Sequence, residues 1–328
     1  MENTKHKPHC FILNAEALGD IIATVPAMKY AAEQVFIDGK YQIMMHKQFR
    51  FLFPFIPEDN IFYFGKEKHL HEPYVLVYLY DQIPPNVPLS AFLNPLRMLL
   101  IDYASVKLLG ILLPENHRNY PRIPLNDIDV SKFNLPTRYA CILSTILHKN
   151  RGMPRIEVYR IAHHLVKQGI TPVFIGKNTT INDTFNRSQY SSVSTPAKEG
   201  MIDLVDATSL QEAAKIMADA ECVIGIDTGL IHLASCTDVK IICGYTTVDP
   251  ELRMPYRHNE KGWNLTAITP TNKQCRFCAS SWYVDDVNFN ECNNKKQFDC
   301  LDAMSADKFI TALSDIEDAI IIEKGKVC

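Results

Sequence analysis

No run in this chain reaches the roughly 18 to 20 consecutive apolar residues that a membrane-spanning helix needs. The nearest approach, MLLIDYASVKLLGILL over 98–113, is interrupted by Asp102 and Lys107, so it reads as a helix with one core-facing side. A surplus of one charge is missing too. The formal net charge is −3, which gives no general attraction for polyanions, so binding to nucleic acid or an anionic membrane would need a local patch. The best candidate patch is Lys40, Lys47, Arg50, Lys66 and Lys68, interleaved with Phe49, Phe51 and Phe53. No G-x-G-x-x-G follows any strand-like run, which argues against a dinucleotide-binding oxidoreductase. Internal repeats and low-complexity tracts are absent. The opening MENTKHKPH is polar and runs straight into the first apolar segment without the apolar stretch of a secretory leader, so a cytoplasmic protein is expected.

What is present is an ordinary soluble composition, 47% hydrophobic and 22% charged, in 328 residues, enough for two domains. Strand-like runs alternate with helical ones, which marks the α/β class. In the first half, Phe11 to Asn14, Ile43 to Met45, Ile61 to Phe64 and Tyr74 to Tyr80 read as strands, with a proline-rich loop over 83–95. In the second, Ala140 to Ser144 reads as a strand, Pro154 to Gln168 as a helix stopped by Gly169, and Thr171 to Gly176 as the next strand. The segment 121–136 has no periodicity, so the linker is placed there and the domains at 1–132 and 133–328.

The chemistry concentrates in VIGIDTGLIHLASCTDVKIICGYTTVDP, Val223 to Pro250. Val223 to Ile226 is apolar without alternation, as suits a parallel strand covered on both faces. Asp227-Thr228-Gly229 breaks it, and a helix follows with Leu230, Leu233 and Ala234 on its inner face. Thr228 or Asp227 can cap that helix, and the free N–H groups of its first turn, backed by roughly half a positive charge, suit a diphosphate. Ile241 to Tyr245 is the next strand, ending in the polar turn Thr246-Thr247-Val248-Asp249-Pro250. An ordinary parallel-sheet unit with a capped helix would read the same way.

The residues in that unit resemble the nucleotide-binding signature of the ADP-heptose transferase family, glycosyltransferase family nine. In that signature a strand is followed by D-[ST]-G-x-x-H-L-A and then by a strand ending G-x-T-x-P. Asp227, Thr228, Gly229, His232, Leu233 and Ala234 match the first part. Gly244, Thr246 or Thr247, Asp249 and Pro250 match the second, with one extra residue that leaves open which threonine faces the ligand. Near the N-terminus Leu18, Gly19, Asp20, Thr24, Pro26 and Ala27 match the family's L-G-D and T-x-P-A. The resemblance implies that Asp20 takes the proton of the acceptor hydroxyl; without it, Asp20 reads as a helix cap. It also implies a basic residue against the departing diphosphate, Lys149 or Arg151, of which the distance to Pro154 favours Arg151; the family's tryptophan is missing there. Thr208, Ser209, Leu210, Glu212 and Ala213 match a further segment, in which Ser209 or Thr208 caps a helix, Glu212 closes a capping box, and Ser209 stands as a candidate contact to the nucleotide. His232 is expected to be held neutral, free to hydrogen-bond a phosphate or ribose.

Four cysteines, Cys275, Cys278, Cys292 and Cys300, are spaced C-x2-C-x13-C-x7-C in a polar stretch. Such a set can close a tetrahedral site around zinc or iron, while two disulfides or four free thiols are the other readings. Cys222, Cys236 and Cys243 sit in apolar elements and read as small hydrophobes of a reduced protein. The arrangement is similar to that of the protein O-heptosyltransferase branch of the same family, which implies a structural metal and no catalytic divalent ion.

Together the resemblance implies a GT-B architecture, two doubly wound Rossmann-like domains facing across a cleft, with the cysteine insertion over 275–300 and a C-terminal helix. It implies an inverting glycosyltransferase that moves a heptose-like or pentose sugar from a nucleoside diphosphate, with ADP favoured. The acceptor is open between a lipopolysaccharide core sugar, a protein hydroxyl and a hydroxymethylated base of phage DNA. A nucleotide-sugar epimerase or hydrolase of the same architecture is a further alternative, and a homo-oligomer is left open.

Overall fold

In the computed structural model of the chain the described residues are 9–15, 17–37, 40–65, 75–79, 99–143, 151–177, 200–273, 275–280, 292 and 299–314. The chain divides into two compact units, one of Met1–Ile123 with Pro255–Trp263 and one of Pro124–Met254 with Asn264–Cys328. Lys66, Lys68, Lys149, the loop 83–95 and most of the segment between Ser280 and Asp299 lie outside the described residues.

The first unit holds a four-stranded sheet. Its strands are β1 (His9–Ile12), β2 (Tyr41–Met45), β3 (Ile61–Tyr63) and β4 (Val75–Tyr78), in the order β3-β2-β1-β4, and every pairing is parallel. Helix α1 (Leu18–Tyr30) follows β1 and packs on α2 (Leu100–Leu109). The 98–113 segment is thus a helix, as its interrupted apolar pattern indicates, and Gly110 ends it at φ +72°, a left-handed turn that favours glycine. Phe49 and Phe53 are core residues, and Arg50 spends its guanidinium on Glu58 at 3.0 Å and on the carbonyls of Phe53 and Ile56. Those two rings therefore cannot stack on bases as the interleaved basic pattern invited.

The second unit is built on a six-stranded sheet. Its strands are β5 (Tyr139–Leu143), β6 (Thr171–Ile175), β7 (Ile202–Asp203), β8 (Val223–Ile226) and β9 (Ile241–Gly244), completed by a sixth, β12 (Leu265–Ile268). Between β9 and β12 the chain makes the hairpin β10 (Tyr256–Arg257) and β11 (Glu260–Lys261), which belongs to the first unit. The order β12-β9-β8-β5-β6-β7, parallel throughout, is that of a doubly wound sheet. β5, β8 and β9 are buried at every position, which is why their sequences are apolar without alternation.

Helix α3 (Arg155–Lys167) lies between β5 and β6 and buries Val158, Ile161, Ala162 and Leu165, spaced i, i+3, i+4, i+7. α4 (Leu210–Ala218) opens with a complete capping box: the Ser209 hydroxyl accepts from the Glu212 N–H at 3.2 Å, and the Ser209 N–H donates back to the Glu212 carboxylate at 2.8 Å. α5 (Gly229–Ala234) follows β8, and a helix over 306–314 packs Phe309 into the core beside Ile242 and Met304. Both units are doubly wound α/β layers, as expected. Among the described residues no helix is long and apolar enough to cross a membrane.

Candidate active site

From β5 the second sheet grows one way through β6 and β7 and the other way through β8, β9 and β12, so its switch point lies between β5 and β8. In open parallel sheets the crevice outside the carboxyl ends at that point is where ligands bind. Arg151 follows β5 and Asp227 follows β8, and the two meet there. The Arg151 guanidinium donates to the Asp227 carboxylate at 2.7 Å and also to the Asp227 carbonyl. Sequence reasoning gave each residue a direct role against the ligand; the structure adds that Asp227 aims Arg151.

The pair is part of a larger charged group. The carboxylate of Asp227 is 8% exposed and lies 3.8 Å from His232 Nε2, itself 5% exposed. Burial alone raises the Asp227 pKa, but Arg151, Arg253 and His232 more than offset it, so the group is held ionised below the usual carboxylate range. His232 is driven down to about 4, first by burial and then by Arg253 and Arg151, against the opposing pull of Asp227. It is neutral at pH 7, as expected from the sequence, yet burial and not the helix dipole is the main cause. Arg253 is the residue that sequence reasoning passed over. It is 7% exposed and it acts on both Asp227 and His232. An arginine buried three residues beyond the Pro250 motif, amid Leu252, Met254 and Pro255, was the available signal.

Two hydroxyls in the same turns lack partners. Thr228 is the N-cap of α5 by backbone conformation, but its side chain makes no capping bond, and its Oγ1 is buried and unsatisfied. The expected Thr228 cap is therefore not made. Thr247 is 1% exposed and its Oγ1 is likewise buried without a hydrogen-bond partner, whereas the neighbouring Thr246, also buried, is engaged. A buried orphan hydroxyl costs about 1–3 kcal/mol unless something else satisfies it. Because β8 and β9 are paired in register, Ile226 opposite Gly244, these two hydroxyls belong to adjacent turns at one sheet edge. Gly244 is glycine for packing: a Cβ there would lie 2.6 Å from Met304 Sδ and 3.1 Å from Phe309.

The remaining candidates are distributed as follows. Gly229 is the first residue of α5. Ser209 stands exposed with its hydroxyl committed to the capping box. Gly19 and Asp20 belong to the first turn of α1 in the first unit, at the carboxyl end of β1, where that sheet also reverses direction. Cys222, Cys236 and Cys243 are buried free thiols, as expected.

Cys300 is buried, and its thiol is pushed up to about 12, first by burial and then by the charges of Cys275, Cys278 and Cys292. Among the described residues no group of three or more His, Cys, Asp or Glu is arranged to hold a metal ion, so the expected closed four-cysteine site is not confirmed. The turn that carries two of them is bonded to the threonine loop. The Phe277 N–H donates to the Thr246 carbonyl at 2.8 Å, the Ala279 N–H to the Thr247 carbonyl at 2.8 Å, and the Asp249 N–H to Ser280 Oγ at 3.0 Å.

Residues 154–281 match the family model of glycosyltransferase family 9 (heptosyltransferase). Over 59 residues the chain is 37% identical to lipopolysaccharide heptosyltransferase 1 of Salmonella typhimurium (strain LT2), an alignment that covers 18% of this chain and 19% of that protein. Among solved structures, the iron-containing dodecameric glycosyltransferase TibC from enterotoxigenic E. coli H10407 aligns over 96% of this chain and 80% of its own, with a TM-score of 0.71 at 16% identity. A second TibC structure, in complex with ADP-D-beta-D-heptose, aligns over 96% of this chain and 77% of its own, with a TM-score of 0.70 at 16% identity. At that identity the likeness is one of fold.

Proposed function

We propose that the chain is a member of glycosyltransferase family 9, the heptosyltransferases, and that it transfers a sugar from a nucleoside-diphosphate donor of the ADP-heptose kind to a hydroxyl acceptor. One observation carries this reading. At the switch point of the second sheet two arginines, Arg151 and Arg253, accompany the buried Asp227 carboxylate, a neutral histidine and two threonine hydroxyls without a hydrogen-bond partner. Two guanidinium groups and two hydroxyls without a hydrogen-bond partner are the kind of donor set that a pyrophosphate takes.

In the proposed reaction the acceptor oxygen attacks the anomeric carbon from the face opposite the diphosphate. As the new C–O bond forms, the bond from the anomeric carbon to the diphosphate oxygen breaks, and the electron pair leaves with the nucleoside diphosphate. The acceptor proton passes to the Asp20 carboxylate, a weak base that can accept it late, once the attacking oxygen has become acidic. Arg151, aimed by Asp227, and Arg253 offset the charge that develops on the leaving group. Neutral His232 and the hydroxyls of Thr228 and Thr247 supply hydrogen bonds without adding charge. TibC bound to ADP-D-beta-D-heptose supports the donor class.

Four thiols are a donor set suited to iron or zinc, and we assign a structural metal to Cys300 together with Cys275, Cys278 and Cys292, each of which acts electrostatically on the buried Cys300 thiol. A dication there would stabilise the thiolate form of these side chains, and no step of the transfer is routed through it. A homo-oligomer accompanies the proposal, in line with the dodecameric description of TibC.

The test is mass spectrometry of protein incubated with ADP-heptose alone, then with a lipopolysaccharide core saccharide, a hydroxyl-rich protein and hydroxymethylated DNA in separate arms. The expected result is ADP release that depends on one acceptor arm, with a matching mass gain on that acceptor. Release of ADP without any acceptor would favour the hydrolase reading, and protein that binds neither ADP nor the sugar nucleotide would sink the assignment.

A further inference from the structure

We propose that the cysteine-bearing turn Cys275–Ser280 is a positioning element for the donor site, because its backbone and one hydroxyl hold the Thr246–Asp249 loop in place. The inference rests on the donor reading given above. Three hydrogen bonds run between the two segments: Phe277 N–H to the Thr246 carbonyl at 2.8 Å, Ala279 N–H to the Thr247 carbonyl at 2.8 Å, and Asp249 N–H to Ser280 Oγ at 3.0 Å. They cover both carbonyls of the threonine pair and the amide that opens the Asp249-Pro250 turn. The aim of the Thr247 hydroxyl, buried and unpartnered, follows from a backbone whose carbonyl is tied to Ala279.

The cysteine-bearing turn is itself shaped for the task. Cys275 N–H bonds the Asn272 carbonyl at 3.1 Å, Ser280 N–H bonds the Phe277 carbonyl at 3.0 Å, and Phe277 takes φ +55°, a left-handed conformation that costs a non-glycine residue energy. Cys275 and Cys278 bracket Phe277, so whatever ties these thiols to Cys292 and Cys300 also fixes the N–H groups that grip the loop. A second link acts on the same place from the other side. Cys300 is the second residue of the short helical segment Asp299–Met304, and Met304 packs so tightly over Gly244 at the end of β9 that a Cβ there would meet its sulfur at 2.6 Å. The loop after β9 is thus held at its root by the Cys300 segment and along its length by the Cys275–Ser280 turn.

Displacement of this loop would also reach Arg253. The loop continues into Pro250–Leu252, where the Asp249 carboxylate accepts from the Glu251 N–H at 3.0 Å and the Pro250 carbonyl accepts from the Arg253 N–H at 2.9 Å. The cysteine turn therefore governs two donor-site groups without touching the ligand itself.

The experiment compares full-length wild type, S280A and S280T by calorimetric titration with ADP and by amide hydrogen exchange over 246–249. S280A removes the acceptor for the Asp249 N–H, and S280T retains it. We expect ADP affinity to fall about 3- to 10-fold in S280A, the worth of one net hydrogen bond, with faster exchange at the loop amides, and to recover in S280T. Should S280A not fold, C278S takes its place under the same two readouts, with the same expected direction. An S280A protein that binds ADP like wild type, or weakens without faster exchange over 246–249, overturns the proposal. Wild-type protein that binds no ADP defeats the underlying donor reading instead, so the two failures are distinguishable.

Discussion

Acidification should unfold the second unit by a route that runs through His232. In the unfolded chain an imidazole titrates near 6.5, and in the folded protein burial, with Arg253 and Arg151 nearby, drives His232 down to about 4. Between those values the unfolded state binds a proton that the native state refuses, so stability increases with pH across the window and is lost as pH falls from about 6.5 toward about 4. Each pH unit of that gap corresponds to about 1.4 kcal/mol, so the term reaches about 2 kcal/mol at pH 5 and about 3 kcal/mol at its lower end. Asp227 acts in the same sense but at lower pH: its pKa is lowered, so its contribution is present above the ordinary value of 3.8 and is lost only as pH falls below it. The assay is denaturant unfolding at a series of pH values between 7 and 4.5 for wild type and H232N. The variant starts less stable because it leaves a cavity, but its curve should be flatter, and the difference between pH 7 and pH 5 should shrink by about 2 kcal/mol. Parallel curves for the two proteins would refute the argument that His232 is the group kept neutral by burial.

Asp20→Asn should lower kcat by about 10²- to 10⁴-fold with ADP affinity retained, as loss of a general base requires; unchanged kcat would assign the proton to another group. Arg253→Met keeps bulk but removes a buried cation, so ADP affinity should fall about tenfold or more by calorimetry, and the His232 titration followed by NMR should move upward from about 4. Gly244→Ala should cost about 1–3 kcal/mol of stability in thermal unfolding, because the new methyl must displace Met304 and Phe309. Treatment with a chelator that strips free divalent ions should leave transfer intact in protein that stays folded; an immediate loss reversed in full by magnesium would contradict a metal-independent departure of the diphosphate.

Local pattern alone was enough for the elements of the second sheet. Unbroken apolar runs located β5, β6, β8 and β9 to within a residue or so, because a strand buried on both faces must be apolar at every position. The Ser209–Glu212 capping box and the stop of α3 near Gly169 were legible for the same reason: both are closed by residues within one turn of each other. The turn after β8 could be singled out as a candidate anion site because Asp227, Thr228, Gly229 and His232 fall within six residues.

Partnership over long separations could not be read this way. Arg151 and Asp227 are 76 positions apart, and only the adjacency of β5 and β8 brings them to one edge and makes the carboxylate an anchor for the guanidinium. The same holds for Asp249 and Ser280, 31 positions apart, and for Met304 lying over Gly244. Which of Thr246 and Thr247 keeps an unsatisfied hydroxyl, and whether Arg253 is buried beside His232, depend on atoms supplied by other segments of the chain. Periodicity and caps are set by neighbours along the backbone, so sequence carries them; burial, ion pairing and the neutrality of a histidine are set by neighbours across the fold, and only the folded chain decides them.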